Sequence, residues 1–180
     1  MSTRCASRFP CGNNVDHGGW WCDACQEQAA AGVQSDALAL VEVPNLGTTY
    51  QFGLSHHPMG MVRMRLAKRT DLTPPVLRQL LLFDSEDQVQ FVAAGSRQAD
   101  PKDLYRLLVD VAGRRAQTSE EQLRANGMAL VLAGNPAVPA RGLRALCDHP
   151  DPTVREQART TFRSVMHLGV PAEPERTPGG

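Results

Sequence analysis

A phrase that starts at His57 returns at His149, and it limits the possible folds more tightly than any other feature of the chain. His57-Pro58-Met59-Gly60-Met61-Val62-Arg63 and His149-Pro150-Asp151-Pro152-Thr153-Val154-Arg155 share His-Pro, three variable residues, Val-Arg and a helical run. A weaker copy, Asp84-Ser85-Glu86-Asp87-Gln88-Val89, lies between them. A second element accompanies each copy, with proline near its start and leucines three apart: Leu77 and Leu80, Leu104 and Leu107, Leu143 and Leu146. Proline in the first turn and that leucine spacing predict short helices. Val62 to Val89 and Leu77 to Leu104 are both 27 residues, whereas Val89 to Val154 is 65, close to two units with an insertion near 113–119. Units this small cannot bury an apolar face alone, so the pattern predicts stacked helical repeats sharing one core.

The run from Asn135 to Ala158, NPAVPARGLRALCDHPDPTVREQA, resembles the leucine-rich repeat variant family, whose units read roughly Asn-Pro, Thr-Pro, Leu-x-x-Leu, Asp-x-Asp, Val-Arg, Ala. The resemblance covers residues 56–163, is clearest in the last unit and is poorest over 117–134. HEAT-type helical repeats are the nearest related class. The resemblance implies an all-α fold, a short right-handed α-solenoid of alternating α- and 3₁₀-helices without strands. It also implies that an N-terminal cysteine cluster can hold an iron–sulfur centre.

Such a cluster is present. Cys5, Cys11, Cys22 and Cys25 fall within the first 25 residues, while the fifth cysteine, Cys147, stands alone. Residues 1–28 have few aliphatic side chains, so a small N-terminal metal-binding module explains how they fold without a core. Cys22-x-x-Cys25 has the spacing that brings two thiolates to one ion, Cys5-x5-Cys11 is looser than most zinc fingers, and Gly12, Gly18 and Gly19 allow tight turns. Four thiolates suit a structural Zn²⁺, with a [4Fe–4S] cluster as the alternative. Against iron stands the absence of a close Cys-x-x-Cys-x-x-Cys run. A disulfide or an incidental cluster is the third reading, and it is disfavoured because no export signal is visible and a reducing, cytoplasmic compartment is expected. His17 reads as a neighbour of the site, because four thiolates already fill a tetrahedron.

The remaining segments read as a connector or irregular first repeat over 29–55, with a turn at Pro44-Asn45-Leu46-Gly47, then the repeats over 56–163 and a Pro-rich tail over 164–180. No stretch approaches the roughly 18 apolar residues a membrane span needs, so no membrane partner is expected.

Catalytic motifs are missing: there is no phosphate-binding Gly-Lys-Ser/Thr loop, no Gly-x-Ser-x-Gly elbow, no His-Glu-x-x-His helix and no His-x-Glu of the zinc deaminases. A non-catalytic binding or adaptor protein is therefore the expectation, with another protein as partner. His57 and His149 read as turn or capping residues and Cys147 as a buried thiol. Nineteen basic residues balance nineteen acidic ones, although 56–70 carries a net +4 and 71–100 a net −3. Arg63, Arg65, Lys68, Arg69, Arg155 and Arg159 are the candidate binding residues, and if their helices share a face they form a track for phosphates. A nucleic-acid-binding regulator is accordingly an alternative, weakened by the overall neutrality and by the absence of interleaved aromatics for base stacking.

Overall fold

The computed structural model describes residues 34–113 and 116–167, and among them every regular element is an α-helix. The order is α1 (Gln34–Val41), α2 (Thr48–Ser55), α3 (Gly60–Ala67), α4 (Pro74–Leu82), α5 (Asp87–Ala94), α6 (Pro101–Gly113), α7 (Ser119–Gly134), α8 (Ala140–Leu146) and α9 (Pro152–His167). The chain divides into two compact units, the first ending at Val89 and the second beginning at Gln90, so the division falls inside α5. The all-α class is what the sequence predicts. The alternating 3₁₀-helices are not seen among the described residues, because the short proline-led elements α4 and α8 close α-helical hydrogen bonds.

In the first unit α1 packs on α2 and α3, and α2 packs on α3 and α4. Within the segment read as a connector or irregular first repeat, residues 34–55 thus carry two packed helices. Leu40, Leu54, Val62, Leu66, Leu80 and Leu81 are fully buried between these helices. At about 25 cal/mol per Å² of apolar surface, a buried leucine stabilises by roughly 2 kcal/mol, so these six supply much of what the unit needs. The turn expected at Pro44–Gly47 is present, and Asn45 takes a left-handed backbone (φ 53°), which asparagine tolerates through local hydrogen bonding.

In the second unit α9 packs on α7 and α8, and α6 packs on α7. Leu104, Leu107, Leu132, Leu143, Leu146, Val154 and Ala158 are buried. The stripe Val154, Ala158, Thr161, Val165 continues one helical face past residue 163, which is why α9 reaches His167 and the expected tail boundary at 164 lies too early. The expected insertion near 113–119 precedes α7, a helix of 16 residues. Its start is set by a capping box: the Thr118 side chain accepts from Glu121 N–H at 3.1 Å, and the Glu121 carboxylate accepts from Thr118 N–H at 3.3 Å.

Candidate binding surfaces and the clamped turns

The two His-Pro phrases fold into the same turn, each held by its own arginine. Met59 N–H donates to His57 Nδ1 at 3.2 Å, and Asp151 N–H donates to His149 Nδ1 at 3.1 Å. Both imidazoles therefore carry an unprotonated Nδ1 and satisfy a backbone amide that precedes a helix. One residue past the buried valine, Arg63 Nη1 donates to the carbonyls of His57 (2.6 Å) and Pro58 (3.1 Å). Arg155 Nη1 does the same to His149 and Pro150, at 2.7 Å each. The first turn of each helix thus reaches back and ties down the loop that leads into it.

The copies differ in what faces the rest of the guanidinium. Arg63 is buried, and its Nε and Nη2 donate to Asp84 Oδ2 (2.7 Å) and Oδ1 (3.0 Å), with Nη2 also reaching Glu86 Oε1 at 3.1 Å. The hydrogen bond to Asp84 raises the arginine above its ordinary pKa, so the charge persists at any working pH. Arg155 is only half-buried. Arg63 does not belong to a phosphate-binding track, because its donors point inward. Arg155 spends its Nη1 on the same task.

Arg65, Lys68 and Arg69 come together instead, at the other end of α3. With Val41, Glu42, Pro44, Asn45, Thr70 and Asp71 they line an open cleft of about 540 Å³ between the ends of α1 and α3. Arg69 is the strut of this cleft. Its Nη1 donates to the Val41 and Val43 carbonyls (2.9 Å to the latter), and its Nε and Nη2 hold Asp71 at 2.7 and 2.5 Å. The Arg69 hydrogen bond keeps the Asp71 carboxyl below the usual carboxylate range. Arg65 stands 3.8 Å from Glu42, both well exposed. Exposed Lys68 completes the set. Two acids facing three bases leave a polar, nearly balanced cleft rather than a strong anion trap. Arg159 is exposed on α9 in the second unit.

Two buried amides went unremarked in the sequence. Gln51 Nε2 donates to the Leu46 (2.9 Å) and Asp71 (3.0 Å) carbonyls while its Oε1 accepts from Thr73 N–H at 2.9 Å. Asn135 repeats that scheme in the second unit, with Nδ2 donating to the Ala94 (2.7 Å) and Ser96 (2.9 Å) carbonyls and Oδ1 accepting from Ala137 N–H at 2.9 Å. Each amide ties the loop before a proline-led helix to an earlier loop. The Asn135-Pro136 pair carried a signal for this; Gln51 carried none.

Cys5, Cys11, Cys22, Cys25 and His17 lie outside the described residues. Among the described residues no three His, Cys, Asp or Glu side chains gather as a metal site. Cys147 is half-buried at the C-terminal cap of α8, not fully buried. Among the described residues no helix is long and apolar enough to cross a membrane. No protein-family model, curated protein or solved structure matches the chain.

Proposed function

We propose that the chain is a non-catalytic binding or adaptor protein, a four-cysteine zinc module joined to a short solenoid of helical repeats that receives a protein partner. The observation that carries this reading is the recurrent clamped turn. His57, His149, Arg63 and Arg155, the residues most suggestive of chemistry, hold backbone in matching ways. A motif spent on building repeats leaves recognition to their exposed faces. The near-balanced cleft at Arg65, Lys68 and Arg69 favours a protein partner over a nucleic acid.

Two measurements test the proposal. Metal analysis and visible absorbance on anaerobically purified protein separate one zinc per chain, which is expected, from an iron–sulfur cluster, which makes the chain a redox or sensor protein. Titration of binding to generic duplex DNA separates the adaptor from a nucleic-acid regulator: affinity falling steeply with salt overturns the adaptor reading. Cytoplasmic residence belongs to the same proposal, since free thiolates need a reducing compartment.

A further inference from the structure

In the second unit two arginines of α8 lie against aromatic rings of the helices on either side. The Arg141 guanidinium stands 4.0 Å from the centroid of the Tyr105 ring of α6, and that of Arg144 stands 5.9 Å from the Phe162 ring of α9. The Tyr105 ring also reaches the body of α8, where a Cβ on Gly142 would meet it at 3.4 Å. Gly142, Leu143 and Leu146 form the buried side of α8, so Arg141 and Arg144, three residues apart, share its exposed side. On α9 the buried stripe Val154, Ala158, Thr161, Val165 sets the register. Gln157 flanks that stripe toward α7, 3.5 Å from where a Cβ of Gly134 would stand. Phe162 flanks it on the opposite side, toward α8, and helical spacing puts Arg155, Arg159 and the half-exposed Met166 on the same flank. One surface therefore runs from Tyr105 across the outside of α8 to the near flank of α9.

Its arginines are available. Arg141, Arg144 and Arg159 are exposed, and among the described residues none of the three pairs with a carboxylate. Arg155 gives only Nη1 to its turn. Asp151 is engaged by the Thr153 and Val154 amides and by Asn126 of α7. Asp148 and Glu156 are the other acids here, both exposed, and residues 140–167 still hold five arginines against three acids. The surface is thus positive, unlike the balanced cleft of the first unit. A guanidinium laid on a ring keeps its N–H fork free at the edge, ordered for an acceptor with two oxygens.

The acceptor that fits is a carboxylate. Arg141 covers the Tyr105 ring, so no base can stack there. A nucleic-acid strand carries unbroken charge and would set phosphates against Asp148 and Glu156 as well as against the arginines. A peptide places carboxylates only opposite the guanidiniums, and it can lay an apolar side chain on Phe162 and Met166. We infer that Arg141, Arg144, Arg155 and Arg159, ordered by Tyr105 and Phe162, dock an acidic segment of a partner protein. The inference rests on the protein-binding reading above and gives it a location and a partner chemistry.

The test is selection of displayed random peptides against the full chain, followed by anisotropy with the selected peptides. The expected winners carry an excess of Asp and Glu around an apolar residue. They lose about tenfold or more in affinity to the double variant Arg144→Gln, Arg159→Gln, whose helical circular dichroism is unchanged. Arg141→Lys with Arg144→Lys keeps the charge and still weakens them about threefold, because an ammonium lacks the planar fork. The double variant Arg65→Gln, Lys68→Gln, in the cleft of the first unit, binds them as the wild type does. Peptides without an acidic excess, or peptides bound equally by the Arg144→Gln, Arg159→Gln chain, overturn the inference while the protein-binding reading stands. An empty selection overturns both. Oligothymidylate or phosphatidylserine vesicles that bind more tightly than the peptides, and through the same arginines, overturn it in favour of a nucleic acid or a membrane.

Discussion

Arg63 and Asp84, 21 residues apart in the chain, meet as a two-bond parallel pair in which both side chains are nearly inaccessible to water. A long-range and a local constraint share this one guanidinium, since it also grips the His57 and Pro58 carbonyls, six and five residues away. A buried pair is worth little against a well-packed apolar replacement, yet breaking one half strands the other.

Arg63→Met should therefore cost roughly 3 kcal/mol or more, because Asp84 is left buried without a cation. Arg155→Met removes the equivalent clamp where no carboxylate is buried with it, and should cost about 1 kcal/mol. Urea unfolding of the two variants side by side measures the contrast. Equal losses would mean that the carboxylate partner contributes nothing.

Asn135→Asp should destabilise by about 2 kcal/mol or more, since two carbonyls would face a carboxylate instead of an amide donor. Asn135→Ala should be the milder change. Denaturation midpoints of both variants settle the order, and an aspartate variant as stable as wild type would remove the amide's assigned role.

Stability should depend on pH through His149. Burial lowers its pKa below the ordinary 6.5, with Asp151 opposing and Arg155 assisting. The unfolded chain then binds more protons than the folded chain just below pH 6.5, so stability falls as pH drops through that window. At lower pH Asp151 acts in the same direction: hydrogen bonds from the Thr153 and Val154 amides lower its pKa, and its contribution, present above the ordinary 3.8, is lost as pH falls through the folded value. Thermal melts at pH 7.5 and 5.5 should differ less for His149→Gln, whose amide oxygen still accepts and does not titrate. An unchanged difference counts against the assignment.

Glycine to alanine should have different consequences at two helical positions. At Gly60 the nearest atoms to the new methyl are the carboxylate end of the half-exposed Glu86 side chain, which can turn toward solvent by giving up its 3.1 Å bond from Arg63, so up to about 1 kcal/mol of helix propensity returns against the loss of that one contact. At Gly142 the methyl meets Val138 at 3.0 Å and Leu108 at 3.1 Å, both buried, so overpacking should cost about 1–3 kcal/mol. Melting temperatures of the two single variants should move apart.

What was legible depended on distance along the chain. The leucines three apart and the valine after each His-Pro are local patterns, and all of them are buried. The clamp was only half legible. Val-Arg could be seen to repeat, but whether a guanidinium points outward depends on Asp84, which no local spacing places beside Arg63. This is why Arg63 read as a binding residue. Helix α7, inside the expected repeat region, matches the repeat pattern poorly for a different reason. Its buried face is built from Met128, Ala129, Leu132 and Ala133, too small and too late in the helix to stand out, although Thr118-x-x-Glu121 announced its start. Gln51 sits in an ordinary-looking helix, and only tertiary structure gives its amide three backbone partners.

The two imidazole-capped amides, Met59 N–H and Asp151 N–H, have a use beyond the fold. They belong to the same turn built twice, one beside a deeply buried arginine and one beside a half-buried arginine. Their hydrogen–deuterium exchange rates, read in a single sample, form an internally matched pair of clocks. The difference between them reports how far burial of the clamp, with the turn chemistry held constant, slows local opening.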